Sequence, residues 1–328
     1  MVKTDVHFPT DINLLHDAIC KAIQCSTALS EAWDLDGWRQ HAYHRRQFKK
    51  QYRAIQQLKH STAKDESKRE ARQRAIQQAH RRYLELAEAH LARVDRTLAE
   101  LAKRSAVRAG AVTELNGYVA HAKRQIDQIR RRVLQGEVIP HAEKVFSIFQ
   151  PHTEWISKGK AGVPVELGLR VCILEDQHRF ILHTHVMARQ TDEQVAVAMV
   201  EASQARFPTL RTVSFDKGFH SPANRRELEV RLDLVACPKK GRLSVADRQR
   251  ESTPAFVSAR HQHAAVESAI NGLQHFGLDR CPDQGIAGFK RYVALAMLAR
   301  NLHRLGVVVR EPSARGKPPV PQPRSCAA

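Results

Sequence analysis

A carboxylate at the end of a β-rich run is the first feature of this chain that could do chemistry. In "TVSFDKGFHSP" (residues 212–222) a β-branched and aromatic run climbs to Asp216, and Lys217 and Gly218 follow at once, with His220 close behind. Such a run reads as a strand. Reactive groups on α/β sheets gather at strand ends. Gly218 lets the backbone turn sharply behind the acid. Taken alone, Asp216 reads equally as a cap or turn residue.

A second acid lies in "RHQHAAVESAINGLQHFGLDR". Val266, Ile270 and Leu273 fall at helical spacing and predict a core-facing stripe. Beside it His263, Glu267, Asn271 and Gln274 follow at steps of four, four and three, so one helix face presents a carboxylate in a polar row. The bland alternative is a solvated glutamate on an amphipathic helix. Together, a strand-end aspartate and a helical glutamate can hold hard divalent cations. Mg²⁺ takes oxygen ligands at about 2.0–2.1 Å and keeps several waters. Two such ions about 3.5–4 Å apart activate a water or a 3′-hydroxyl and stabilise the leaving oxygen of a phosphodiester.

The elements that must position these acids follow from a pass along the chain. "DVHF" reads as a short strand stopped by Pro9, so residues 1–11 are expected to form a first core strand. Thr10 or Asp11 then caps a helix in which Ile12, Leu15, Ile19 and Ile23 share a face. Residues 12–137 lack proline and are dense in Ala, Leu, Gln, Lys and Arg, which predicts a long, basic, all-helical insertion. Phe48, Tyr52 and Tyr83 in it are expected to pack rather than to stack on bases. Strand-like texture begins at about residue 138, with "KVFSIF", "VELGLRVCILE" and "RFILHTHVM". The segments "TDEQVAVAMVEASQARFP", "PANRRELEVRLD", "HAAVESAINGLQHFG" and "FKRYVALAMLARNLHRLG" read as helices, the last two closed by glycine. "RTVSFD" and "LVACPKKGR" read as further strands. Strands alternating with helices over residues 138–308 predict an α/β core, a mixed sheet flanked by helices. The Pro-rich residues 309–328 read as a disordered tail.

Charge narrows the partners. With 53 Lys and Arg against 34 Asp and Glu, the 328-residue chain carries a net charge of +19, and its pI is about 10.1. A polyanion suits that excess, since each cation meeting a phosphate releases a counterion. A structural RNA-binding protein would share the charge, but it needs no paired carboxylates. Six scattered cysteines without a Cys-x-x-Cys read as reduced thiols. Cysteine with His183 and His185, or with His261 and His263, gives no zinc-finger spacing. No run of about 18 apolar residues suggests a membrane span, and "MVKTDVHFPTD" shows no secretory signal.

The segments "HFPTDINLLHDAI", "FSIFQPHTEWISKGKAGVPVELGL", "FDKGFHSPANRREL", "PKKGRLS" and "RHQHAAVESAINGLQHFGLDRCPDQGIAGFKRYVALAMLARNLHRLG" resemble the DDE transposases of bacterial insertion sequences. The resemblance covers nearly the whole chain except the tail. It implies an RNase-H-like core with a helical insertion after the first strand, and metal-dependent cleavage and strand transfer at DNA ends. Asp216 would be the second acid and Glu267 the third, together holding Mg²⁺ or Mn²⁺ in a two-metal site. Arg260 would contact phosphate, with Lys217, His263, Lys158 and Lys160 as further DNA contacts. Relatives place Tyr, Arg, Glu and Lys around this helix, whereas here His263 and Gln274 stand in the arginine and lysine slots. The first acid of similar proteins lies shortly before the "HFPTD" stretch, a position upstream of Met1. The chain is therefore expected to be N-terminally truncated, with Asp5 and Asp11 the nearest acids and Asp11 better explained as a cap. Glu154 could approach the site. The implied partners are element ends and target DNA, in a homo-oligomer on DNA and with no membrane. The implied location is a bacterial cytoplasm, at the nucleoid. A catalytically dead DNA-binding fragment is the alternative.

Overall fold

A computed structural model describes residues 1–60, 65–104, 109–157, 165–263 and 265–310. Within them the chain is mixed α/β, with ten α-helices and seven strands. It divides into two compact units. One takes in Met1–Asp5 and the chain from Glu154 onward, and the other is Val6–Thr153.

The second unit is helical: α1 (Asp11–Trp33), α2 (His41–His60), α3 (Glu66–Ala102) and α4 (Ala109–Ile129), the last running into a π-turn at Arg130–Leu134. Thr10 is the cap of α1, its Oγ1 accepting the Asn13 N–H at 3.2 Å. Asp11 is instead the first helical residue, paired with Arg132 at 2.8 Å. The predicted stripe Ile12, Leu15, Ile19 and Ile23 is buried, and each such side chain stabilises by roughly 1.5–3 kcal/mol. Phe48 and Tyr83 stack inside this core with ring centroids 4.6 Å apart, and the Tyr83 hydroxyl donates to the Ile12 carbonyl at 3.0 Å. Both aromatics are spent on packing. His80 and His90 are buried with them, and the Nε2 of each has no hydrogen-bond partner.

The "KVFSIF" segment is not a strand. Ser147 Oγ accepts the N–H groups of Phe149 and Gln150, which bends the chain, and Ile148 is buried in the helical core. Its apolar pattern marks a buried loop.

The first unit holds the sheets. β1 (Val2–Thr4) runs antiparallel to β3 (Val165–Glu175) and parallel to β7 (Arg280–Cys281). The strand therefore ends before "DVHF" rather than including it. β2 (Glu154–Ser157) and β4 (Ile181–Met187) both pair antiparallel with β3. Lys3 and Glu154 are both registered on Gly168. There a Cβ would stand 2.0 Å from the Val2 carbonyl oxygen, so only glycine lets β1 close on β3. A separate parallel pair, β5 (Thr212–Ser214) and β6 (Leu234–Ala236), carries the candidate site.

Helices cover these strands. α5 (Asp192–Gln204) opens with a capping box of Thr191 and Gln194, as its sequence predicts. α6 (Pro222–Arg231) lies between β5 and β6 in the chain. α7 (Val245–Glu251) and α8 (Pro254–His263) follow β6. α9 (Ala265–Leu273) ends in a kink at Phe276 and Gly277, where Gly277 takes φ 92°. In the predicted stripe of α9, Leu273 is buried but Ile270 is 45% exposed. α10 (Gly285–Arg310) does not stop at Gly306, as glycine capping predicts, but runs on to Arg310.

α10 is long and apolar enough, by length and composition, to cross a membrane. Its inner face is nevertheless engaged with the protein. Phe289, Val293 and Ala296 are buried. Asn301 bonds both backbone groups of Ile181, and Arg304 donates to the His178 carbonyl. The outer face exposes Leu295, Leu298, Leu302, Leu305 and Val309, which recur at alternating steps of three and four.

Candidate active site

β5 alternates. Thr212 faces out, Val213 is buried, Ser214 is half-buried, Phe215 is buried and Asp216 is exposed. The two-residue period of a strand puts Ser214 and Asp216 on one face. Phe215 extends the ladder by donating its N–H to the Ala236 carbonyl at 2.9 Å. Asp216 thus stands at the C-terminal end of a parallel pair.

A 3-10 turn, Lys217–Phe219, begins immediately behind it. The Asp216 carbonyl accepts the Phe219 N–H, but the Asp216 side chain makes no cap bond. The carboxylate is therefore not spent on capping, and its side chain is 78% exposed. Gly218 comes close to α5, an approach the sequence did not suggest. Its φ is not left-handed. A Cβ there would instead lie 2.5 Å from Asp192 Oδ2. Asp192 sits in the first turn of α5, with Arg170 Nη1 3.6 Å away.

α8 crosses the parallel pair. Phe256 and Ala259 are buried together with Ala236 of β6, which brings His263, at the end of α8, onto β5. His263 Nδ1 is 3.1 Å from Ser214 Oγ, and His263 Nε2 is 3.1 Å from Asp216 Oδ1. Arg260, one turn earlier, is exposed, as is Lys217. Beside the Ser214–His263 contact opens a cavity of about 580 Å³, whose walls come from β3, β5, α8 and Val266 of α9.

Glu267 lies in the first turn of α9, directly after α8, and its side chain falls outside the described residues. Lys158 and Lys160 also fall outside them. Asp5 meets Arg280 at 3.3 Å and Asp11 meets Arg132. Glu154 Oε1 accepts the Arg189 N–H. Ser214 escaped the sequence reading, although its place two residues before Asp216 was the available signal.

Residues 138–302, half of the chain, match the transposase DDE domain family. The chain belongs to that family. This DDE transposase is matched by no curated protein and by no solved structure. Membership makes it a DDE-type insertion-sequence transposase whose partner is DNA. Such transposases are generally dependent on a divalent metal. Asp216 fits a hydrated ion by its chemistry, being an exposed anionic oxygen donor whose Oδ2 no described residue bonds. No group of three or more His, Cys, Asp and Glu among the described residues is placed to hold a metal.

Proposed function

We propose that this transposase cleaves and joins DNA at the ends of an insertion sequence, with Asp216 and Glu267 as the acids that hold Mg²⁺ or Mn²⁺. The observation that carries this reading is the position of Asp216: exposed at the C-terminal end of a parallel strand and free of capping duty. The ions, when bound, activate a water or a 3′-hydroxyl and stabilise the leaving oxygen. The protein's own part is placement. β5 aims the Asp216 carboxylate, and His263 fixes one of its oxygens. In this reading Glu267, on the helix that follows α8 directly, supplies the other acid. Lys217 and Arg260, exposed around it, are suited to neighbouring phosphates, with Lys158 and Lys160 as further contacts.

The parallel pair β5–β6 and the antiparallel β3–β4 hairpin are compatible with an RNase-H-like core over residues 138–308. The basic helices of residues 12–137 would then contact DNA. The outer face of α10 supports a homo-oligomer. Leucines at a and d spacing form the seam of a coiled coil, and a second copy of this helix matches it. The positions that flank this seam, Ala299, Asn301, Gly306 and Val308, carry no charge, while Arg300 and Arg304 point away from it toward Arg179 and His178. Such a protein would work at the bacterial nucleoid.

The test uses the purified 328-residue chain, element-end DNA and Mg²⁺. Cleavage by the natural chain and none by Asp216→Asn, with DNA binding retained, is the expected result. Full activity in Asp216→Asn would overturn the role given to that acid. A second reading is DNA binding without cleavage, by a chain that lacks the first acid of its relatives. Salt-steep binding with no cleavage under any divalent ion would favour it.

A further inference from the structure

Beyond Asp216, the same strand edge opens into a second cavity, of about 500 Å³. It is lined by His220, Arg225, Lys239, Ser244, Asp247 and Arg250, with Pro222 and Ala246. The topology places it. β5 exits into Asp216 and then His220, while its parallel neighbour β6 exits into Cys237, Pro238 and Lys239. Adjacent strands lie about 4.8 Å apart, so the two exits share one edge. α6 adds Arg225, and α7 adds Asp247 and Arg250.

The polar groups here are unevenly satisfied. Asp247 is buried and fully engaged. Its Oδ2 accepts from Lys239 Nζ, from the Ser244 hydroxyl at 2.6 Å and from the Ser244 N–H at 3.1 Å, and its Oδ1 accepts from Arg225 at 3.4 Å. Asp247 therefore acts as the post that holds Lys239 and Arg225 in place. Arg250 differs. Its Nε, Nη1 and Nη2 are all buried and none has a hydrogen-bond partner, and Arg225 Nε is in the same state. Glu229 and Glu251 stand 3.8 and 3.5 Å from Arg250, and Glu229 stands 3.5 Å from Arg225 Nε, close enough for charge but without a hydrogen bond. Buried donors are almost always paired, and a guanidinium fork matches the oxygens of a phosphate. His220 reports the same field: burial and then Arg250, Arg225 and Lys239 lower its pKa. Lys240 and Arg242, both exposed, continue the basic loop.

We propose that this cavity is a phosphate-binding site, in which Arg250, Arg225 and Lys239 hold one backbone phosphate of the DNA strand that passes Asp216. The proposal rests on the transposase reading for the identity of its ligand. It requires no metal and no cleavage.

The experiment measures binding of the full chain to a labelled DNA duplex of about 20 base pairs, over roughly 50–200 mM salt, without divalent ions. Arg250→Gln and Arg225→Gln are compared with the natural chain. Each arginine variant is expected to bind roughly tenfold more weakly at mid-range salt, and the slope of log K against log salt should fall by about one. In parallel, inorganic phosphate should raise the melting temperature of the natural chain above that in chloride of equal ionic strength. The arginine variants should lose that gain. Unchanged slopes in two arginine variants that melt normally would overturn the proposal. If one variant does not fold, the other decides. A chain that binds but never cleaves would sink the catalytic reading and leave this site standing. Cleavage with unchanged slopes would do the reverse.

Discussion

His263 joins Ser214 to Asp216. One imidazole reaches two side chains on the same face of β5, each at 3.1 Å from a ring nitrogen. The strand supplies the spacing, and α8 supplies the ring. One oxygen of the exposed carboxylate is thereby fixed while the other faces outward.

Removing this brace should loosen the acid without deleting it. His263→Ala is expected to lower cleavage by about tenfold to a hundredfold, the scale of a displaced catalytic group. Ser214→Ala should cost less, because the ring keeps its bond to Asp216. A matching fall in Mn²⁺ affinity, read by calorimetry, would separate positioning from a DNA contact. An effect confined to DNA binding would assign His263 to the DNA instead.

Gly218→Ala should destabilise the sheet unit by about 1 kcal/mol, the low end for an overpacked site, because the Asp192 carboxylate can swing aside. The new methyl meets Asp192 Oδ2 at 2.5 Å. Asp192→Gly in the same chain should return most of the loss, because the two changes share one contact. Thermal melts of the two single variants and the double variant check this. Additive losses would show that the close approach is not the cause.

The helical unit should weaken in acid. Burial, then His44 and Arg93, push the His90 imidazole down from 6.5 to about 4. Burial also lowers His80. Between pH 6.5 and about 4 the unfolded chain holds the extra proton. Stability is therefore present above that window and is lost as pH falls through it. For His90 the loss amounts to roughly 3 kcal/mol at most. Urea midpoints by circular dichroism at about pH 7.5 and 4.5 measure it. His90→Phe, packed against Phe48, should flatten the dependence.

With α10 as the seam of the proposed homo-oligomer, Leu298→Glu with Leu302→Glu should leave the chain monomeric. Both residues lie on the outer face of α10, away from the buried Phe289 and Val293. Sedimentation with and without DNA would show the change, with little shift in melting temperature. An unchanged distribution of species would exclude α10 as the seam.

Much of this was legible in the residues, for physical reasons. The helical half lacks proline, and Ile12, Leu15, Ile19 and Ile23 keep a strict helical period. Asp216 could be placed because alternation ends on it. "KVFSIF" misled because an apolar alternating run fits a buried loop as well as a strand, and only Ser147 distinguishes them. Gly306 misled because a capping glycine also sits tolerably inside a helix rich in Leu and Ala. Ile270 followed the period, yet the stripe of α9 is wider than the surface it covers. The arginines around the second cavity drew no reading from the sequence. Their missing hydrogen bonds are a property of packing and leave no trace in composition.

The pairing of β1 has a consequence for the order in which the protein is made. Lys3 is registered on Gly168 and on Arg280. β1 must therefore wait for partners synthesised long after it, while α1 to α4 emerge and fold in between. Closing so long a loop is slow compared with local helix formation. The sheet is thus finished by residues made well before its other strands, and Gly168 is the later-made position that must stay bare for them to dock.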